Sequence, residues 1–224
     1  MSARTRIKFC GLTRAEDVDF AVDLGADFIG LVFAARSPRR LDLAQARALR
    51  ARIPAQIGAV ALVMDQTGDE VRAILDQVQP NVLQFHGEED ATFCASFGHP
   101  YWKVVAMGGD VAADAWSRHS DAAAFLLDSH VRGGAGGTGR TFDWSRIPSS
   151  LDRPFLLAGG IGPDNVFDAI EAVHPWGVDV SSGIEAAPGE KDAAKMRRFV
   201  EEVRRADHQG RHPREGGDPC ISDD

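Results

Sequence analysis

Short apolar runs alternate with helical patterns along almost the whole chain. "RIKFC" is followed by "EDVDFAVDLG", and "DFIGLVF" by "DLAQARALRARI". An apolar run bounded by turn residues is typical of a buried strand, and the polar-apolar stretch behind it is typical of an amphipathic helix. The remaining strands are predicted at "IGAVALVM", "VLQFHG", "YWKVVAM", "AFLLDS", "PFLLAGG" and "GVDVSS", with helical stretches at "TGDEVRAILDQV", "EEDATFCASFG", "VAADAWSRH", "DWSRI", "PDNVFDAIEAV" and "KDAAKMRRFVEEVRRA".

This alternation predicts a parallel sheet with helical crossovers, because strands that are buried on both faces read as continuous apolar runs. Eight strand-helix units in about 205 residues fit a closed (β/α)8 barrel, the TIM-barrel architecture, better than an open doubly wound sheet. We therefore predict one catalytic barrel domain over residues 1–206. Residues 207–224 are polar, rich in Gly and Pro and without periodicity, so they are predicted to lack fixed structure.

Composition and charge narrow the range of partners. Of the 224 residues, 44% are hydrophobic and 26% are charged, which is usual for a globular domain. The formal charge of -8 argues against a nucleic-acid partner and leaves a small molecule. No apolar run approaches the roughly 20 residues that would span a membrane. The sequence leaves a monomer and a homodimer open.

The three cysteines, Cys10, Cys94 and Cys220, form an odd set without metal-ligand spacing, which favours a reducing compartment and hence the cytoplasm. Cys220 lies in the polar tail and is assigned no chemistry. Cys94 lies within a helical pattern and is interpreted as a small buried side chain.

Polar and small residues follow the predicted strands at the ends where barrel enzymes place their chemistry. These residues are Cys10 after the first strand, His86 after the fourth, Asp128 after the sixth, Gly159 and Gly160 after the seventh, and Ser181, Ser182 and Gly183 after the eighth.

The stretches "AGGIGPDN" and "VSSGIE" indicate a phosphate site. Small residues let backbone N–H groups approach an anion closely, and the loops after the seventh and eighth barrel strands often bind phosphate. Glycines could instead serve only to end strands and begin turns. Because both stretches occur at this pair of positions, we favour the phosphate interpretation.

Cys10 and Asp128 are the candidates for proton transfer. A cysteine at a strand end, close to a predicted helix N-terminus, can ionise and act as a base, although a free cysteine is often only a small buried side chain. Aspartate is a poor strand residue, so Asp128 is either a structural cap or a working acid or base. His86 could line the pocket or cap the next helix.

The glycine-rich stretch "GAGGTGRT", residues 134–141, nearly matches the phosphate-binding loop of nucleotide hydrolases. Arg140 stands where that loop has lysine, and Pro148 leaves room for only a short helix afterwards. A lid over residues 132–141 explains the glycines better.

Six blocks of the sequence together resemble the phosphoribosylanthranilate isomerase family of tryptophan biosynthesis. They are "KFCGLTRAEDV", "GADFIGLVFAARSPRRLDLAQAR", "LQFHGEE", "LLDSHVRGGAGGTGRTFDW", "LAGGIGPDNV" and "GVDVSSGIEAAPGEKD". They occur in the same order as in the family, and the resemblance covers roughly residues 6 to 205.

The resemblance implies an Amadori rearrangement of N-(5-phosphoribosyl)anthranilate without a metal or cofactor. It implies that Asp128 is the general acid that opens the sugar ring and that Cys10 is the general base that removes the C2 proton. Arg39 matches the family's arginine for the anthranilate carboxylate, and the other strand-end residues bind the phosphorylated substrate. We expect desolvation to keep Asp128 protonated and positive potential to keep Cys10 ionised.

The chain departs from the family at two positions. Arg40 stands where an aromatic residue often follows the arginine, which leaves Arg39 and Arg40 both open for the carboxylate. Gly162 replaces an asparagine after the glycine pair.

Three other hypotheses stay open from the sequence. They are the related sugar isomerase of histidine biosynthesis, which uses two aspartates, a nucleotide-hydrolysing switch, and a barrel that only binds phosphorylated metabolites.

Overall fold

The computed structural model describes residues 4–112, 114–130, 141–148, 151 and 153–209. The barrel strands are β1 (Arg6–Cys10), β2 (Phe28–Val32), β3 (Gly58–Val63), β4 (Val82–Phe85), β5 (Tyr101–Ala106), β6 (Ala124–Asp128), β7 (Phe155–Leu157) and β8 (Gly177–Val180). The α-helices of the described residues are α1 (Ala15–Asp23), α2 (Leu43–Arg50), α3 (Gly68–Val78), α4 (Ala91–Ala95), α5 (Val166–Val173) and α6 (Ala193–Gln209). A two-stranded hairpin, β9 (Glu185–Ala187) and β10 (Glu190–Lys191), precedes α6.

The eight strands close into a barrel, which confirms the predicted fold. Each strand pairs in parallel with the next, and β1 completes the ring with β8 in the register Ile7↔Val178 and Phe9↔Val180. Nearly every strand residue is buried, because helices cover the outside while side chains fill the inside. The main apolar cluster lies between the strands and the helices.

Aromatic rings fill the end of the barrel where the strands begin. Phe28 meets Trp102 edge to face at 4.9 Å between ring centroids and lies 5.7 Å from Trp176. Above them, Val60, Val104 and further small apolar residues pack in the same inner cluster. This apolar plug leaves the opposite end, where the strands finish, for polar groups.

Two of the predicted helices are absent as regular helices. The stretch after β5, predicted as a helix at 111–119, forms turns over its described residues, where Trp116 anchors the segment edge to face against Phe125 at 5.4 Å. One aromatic contact replaces the continuous apolar face that a helix needs. After β6 the short helical stretch is a 3-10 turn, Trp144–Arg146.

The last helix ends at Gln209, three residues beyond the predicted limit of the barrel domain at 206. The rest of the tail, with Cys220, lies outside the described residues, as do 131–140, which include most of the predicted lid. Over the described part of the chain, every helix is too short or too polar to cross a bilayer.

Candidate active site

Cys10 and Asp128 end β1 and β6 on the inner face of the barrel. Side chains alternate along a strand, so Cys10 lies on the same face as Lys8, and Asp128 on the same face as Leu126 of the inner apolar cluster. Both are largely buried, with exposures of 4% for Cys10 and 7% for Asp128. The two predicted catalytic residues therefore occupy the end of the barrel where the strands finish.

A buried ion pair lies beside Cys10. The Lys8 Nζ donates to Asp179 Oδ1 at 2.7 Å, and Lys8 is completely buried inside the barrel. Gly30 pairs with Cys10 across β1 and β2, and its missing side chain leaves space for the Cys10 thiol and the Lys8 ammonium group. A Cβ atom at Gly30 would lie 2.8 Å from Cys10 Sγ and 3.2 Å from Lys8 Nζ.

The protonation of Cys10 differs from the expectation. Burial raises the pKa of the Cys10 thiol, and the opposing effect of the nearby positive charges, chiefly Lys8, is smaller. The predicted positive potential is present, but desolvation of the thiolate outweighs it. Cys10 is therefore a thiol in the free protein at neutral pH.

At Asp128 the neighbouring groups outweigh burial, which is the reverse of the situation at Cys10. Burial alone would raise its pKa, but hydrogen bonding and charge interactions with His130 and the interaction with His86 lower it by more. The His130 backbone N–H donates to Asp128 Oδ1 at 3.1 Å, and His86 Nε2 lies 3.9 Å from Oδ2. The expectation of a carboxyl kept protonated by desolvation is therefore wrong for the free protein.

His86 stacks on His130 beside this carboxylate, with ring centroids 4.8 Å apart. Burial lowers the pKa of His86 to about 4, so its imidazole is neutral. Donor atoms of His86, Asp128 and His130 lie within 4.8 Å of one another and could in principle hold a metal ion.

The loops after β7 and β8 pack closely against their surroundings. Gly159 and Gly160 have φ values of 74° and 68°, and a side chain at Gly159 would collide with the backbone of Ser129. Gly183 lies in the same way against the carbonyl of Ile161. Glycine is required at these points by the backbone path and by close approach.

Within the described chain, the N–H groups of Gly159, Gly160, Ser182 and Gly183 have no hydrogen-bond acceptor. Gly162, at the position of the family's asparagine, gives its N–H to Asn165 Oδ1 at 2.8 Å. Among the described residues, the free donors of this region therefore include the N–H groups of the glycine pair, Ser182 and Gly183, whereas the Ile184 N–H bonds to the Ser181 carbonyl.

Arg39 lies over Gly11, next to Cys10, where any side chain at Gly11 would collide with the Arg39 stem. Its guanidinium is held by Glu185, with Nε and Nη2 each 2.6 Å from a carboxylate oxygen. Arg40 is exposed and pairs through its backbone with Val32. Of the two arginines left open by the sequence, Arg39 is the one placed at the site.

A cavity of about 930 Å³ lies on the far side of the two histidines, and neither Cys10 nor Asp128 is among its described lining residues. It is bordered by His86 and His130 and extends along the loops that follow β2, β3, β4 and β5. Sequence reasoning did not find His130, Lys8, Asp179 or Glu185. A lysine inside an otherwise apolar strand, two residues before Cys10, was the one available signal for the buried pair.

The chain is similar to known proteins over nearly its whole length. A sequence model of N-(5'phosphoribosyl)anthranilate (PRA) isomerase matches residues 7–202. An N-(5'-phosphoribosyl)anthranilate isomerase of Stenotrophomonas maltophilia is 58% identical over 207 residues, which cover 91% of this chain and 95% of the relative.

Two solved structures of phosphoribosyl anthranilate isomerases are similar to this chain in fold. Phosphoribosyl anthranilate isomerase of Thermotoga maritima is 33% identical with a TM-score of 0.80, and the match covers 89% of this chain and 98% of the other. A phosphoribosyl anthranilate isomerase in complex with reduced 1-(o-carboxyphenylamino)-1-deoxyribulose 5-phosphate is 33% identical with a TM-score of 0.76 and the same coverage.

Proposed function

The chain belongs to the N-(5'-phosphoribosyl)anthranilate isomerase family, and on that premise we propose that Cys10 and Asp128 carry out the two proton transfers of its reaction. The protein is an isomerase of tryptophan biosynthesis. It converts N-(5-phosphoribosyl)anthranilate to 1-(2-carboxyphenylamino)-1-deoxyribulose 5-phosphate. The observation that carries the assignment of roles is the position of Cys10 and Asp128 at the inner ends of β1 and β6.

Asp128 protonates the furanose ring oxygen, and the C1–O bond breaks to give an open-chain iminium ion. Cys10 then removes the proton from C2, which gives an enolamine that tautomerises to the ketone. Each positioned acid or base contributes about 10²- to 10⁴-fold to the rate. The enzyme supplies these two proton transfers, and the tautomerisation then moves a proton from the C2 hydroxyl to C1, so every step is accounted for by proton transfer.

The free protein holds the reactive proton on the wrong partner, as a Cys10 thiol and an Asp128 carboxylate. The productive form, thiolate and carboxylic acid, contains the same number of protons. The two forms therefore differ in the position of one proton and not in net charge, so their ratio does not change with pH between the two pKa values. We expect a flat-topped pH–rate profile over that range.

Substrate binding uses the remaining predicted residues. The unpaired N–H groups of Gly159, Gly160, Ser182 and Gly183 bind the 5'-phosphate, together with Ser181 at the end of β8. Arg39 binds the anthranilate carboxylate beside Cys10, and His86 borders the cavity on the Asp128 side. We place the enzyme in the cytoplasm, because Cys10 and Cys94 are free thiols.

A test of these roles compares three variants in a fluorescence assay on freshly generated phosphoribosylanthranilate. Cys10→Ala and Asp128→Ala should each lower kcat by at least about 10²-fold. Cys94→Ala is the matched control, since Cys94 is equally buried but lies in α4, and it should keep normal turnover. A near-normal rate in either active-site variant removes that residue from the mechanism.

Complementation tests the alternatives. The gene should restore growth of a tryptophan auxotroph that lacks the isomerase. Restoration of a histidine auxotroph alone would favour the related sugar isomerase, although Cys10 stands where that enzyme has an aspartate. Nucleotide binding that depends on Arg140 would favour the hydrolase, and tight product binding without turnover would favour a binding protein.

A further inference from the structure

Glu185 is a buried carboxylate with four hydrogen-bond donors. It accepts from Arg39 Nε and Nη2 at 2.6 Å each, from Lys191 Nζ at 2.9 Å and from the Gly189 backbone N–H at 3.2 Å. The residue is 9% exposed. A buried carboxylate with this many charged donors is held firmly in one position.

The bond pattern on Arg39 decides which part of the guanidinium faces the substrate. A guanidinium can bind carboxylates along two edges, one formed by Nε and Nη2 and the other by Nη1 and Nη2. Glu185 occupies the first edge. In the part of the chain that the structure describes, the Nη1 atom has no partner, so the outer edge is available for a second carboxylate.

We propose that Glu185 is a positioning residue that fixes Arg39 over Gly11, so that the outer guanidinium edge meets the anthranilate carboxylate and makes the enzyme selective for carboxylated substrates. This inference rests on the proposed function. Arg39 makes the contact with the substrate, and Glu185 acts only through Arg39. The ligand class is an aryl carboxylate on an N-linked phosphopentose.

Lys191 supports Glu185 from the opposite side. Its side chain is completely buried, and its Nζ also donates to the Ser181 carbonyl at 3.1 Å. Burial raises the pKa of Glu185, but hydrogen bonds from Arg39 and Lys191 lower it by more, so the carboxylate stays ionised. The two cations flank one anion, which leaves net positive charge for the substrate.

The hairpin of β9 and β10 supplies this arrangement. Such a two-stranded ribbon is at best marginally stable alone. Glu185 begins its first strand and Lys191 ends its second. The turn between them contains Gly189, whose φ of 83° lets its N–H reach Glu185. The hairpin therefore ties the loop after β2 to the loop after β8, the region proposed to bind phosphate.

Glu185→Gln is the sharpest perturbation. The amide keeps the size of the side chain, but its NH2 group has to face a donor on Arg39, Lys191 or Gly189. At least one of the four hydrogen bonds is lost, and the Arg39 guanidinium no longer keeps both of its hydrogen bonds to this side chain. Glu185→Asp retains the charge but is one methylene shorter, so it should have an intermediate effect.

The experiment measures inhibition by two reduced product analogues, the carboxyphenylamino compound and its phenylamino counterpart without the carboxylate. The wild type should bind the first more tightly. In Glu185→Gln the preference, measured as the ratio of the two inhibition constants, should fall by about tenfold. A misplaced partner in a buried charge pair weakens binding by at least this much. Affinity for the phenylamino compound should be unchanged, which a general loss of structure would not produce.

Asp19→Asn is the matched control, because it also removes a two-point contact from an arginine, Arg52, but at an exposed position on α1. It should leave the preference intact. An unchanged preference in Glu185→Gln, or no preference in the wild type, would overturn the inference. The proposed function fails separately, if wild-type protein does not turn over phosphoribosylanthranilate. Should Glu185→Gln not fold, Glu185→Asp gives the same comparison.

Discussion

Lys8→Met tests whether the interior ion pair controls the reactivity of Cys10. The change removes a positive charge in contact with the thiol and keeps an unbranched side chain of similar length. Lys8 lowers the pKa of Cys10 against the larger effect of burial. Its loss must therefore raise the pKa of Cys10 further, whether Asp179 stays ionised or takes up a proton.

The magnitude follows from simple electrostatics. A unit charge about 4 Å away contributes about 4 kcal/mol at an effective dielectric constant near 20. Asp179 lies in the same cluster with the opposite charge and offsets part of this. We expect a net effect of about 1.4 kcal/mol, which makes the alkylation of Cys10 at pH 7.5 about tenfold slower.

The assay is the rate of iodoacetamide modification of Cys10, followed by mass spectrometry in a Cys220→Ser background. Peptide mapping separates the modification of Cys10 from that of Cys94, whose pKa burial raises to about 12. Lys103→Met is the control, since Lys103 forms a comparable buried pair with Glu89 at 2.9 Å but is not among the groups that shift the pKa of Cys10. An equal or faster rate in Lys8→Met would refute the electrostatic reasoning.

The same variant has a cost in stability that can be separated from its effect on reactivity. Removing one member of a buried ion pair leaves the other uncompensated, which lowers the free energy of unfolding by about 3–5 kcal/mol. Lys8→Met/Asp179→Leu removes both charges and should recover most of that loss in urea denaturation. Its Cys10 should still react slowly, because the positive charge is still missing.

Three further predictions concern packing and pH. Gly30→Ala should lower kcat by about tenfold or more, because its methyl group would force Cys10 away from its present position and a small misplacement can cost this much; unchanged turnover in the fluorescence assay would contradict it. Phe85→Ala should lower the free energy of unfolding in urea by about 3–5 kcal/mol, since this fully buried ring packs against three other aromatic rings; a loss below about 1 kcal/mol would be inconsistent with that packing. Burial lowers the pKa of His119 to about 4, so the unfolded chain binds more protons than the folded one between pH 6.5 and 4, and stability falls as the pH drops through that window. His119→Gln should reduce the difference in unfolding free energy between pH 7.5 and 5, and an undiminished difference would exclude His119 as the cause.

Much of the fold was contained in local patterns. Each of the eight strands was predicted from its apolar run, because a strand covered on both faces cannot carry many polar residues. The helix predicted at 111–119 was wrong, since one tryptophan contact with β6 determines the path of that segment. A single contact of this kind, between residues nine positions apart, leaves no periodic signal.

For the site, the residue pattern was enough to show which residues stand at the strand ends, and in a parallel barrel all eight ends meet in one place. It placed Cys10 after β1, Asp128 after β6 and the glycine pair after β7. It also identified Arg39 through the family resemblance, with Arg40 left as an alternative.

The pairing and the charge of these groups depend on contacts that exist only in the folded chain. The contact of Lys8 with Asp179 joins residues 171 positions apart, and that of Arg39 with Glu185 joins residues 146 apart. Both pairs form only when β1 closes against β8 and the hairpin folds back over β2. The protonation of Cys10 and Asp128 was predicted with the wrong sign, because it depends on whether desolvation or neighbouring charges prevail, and that balance is set by three-dimensional packing rather than by residue type.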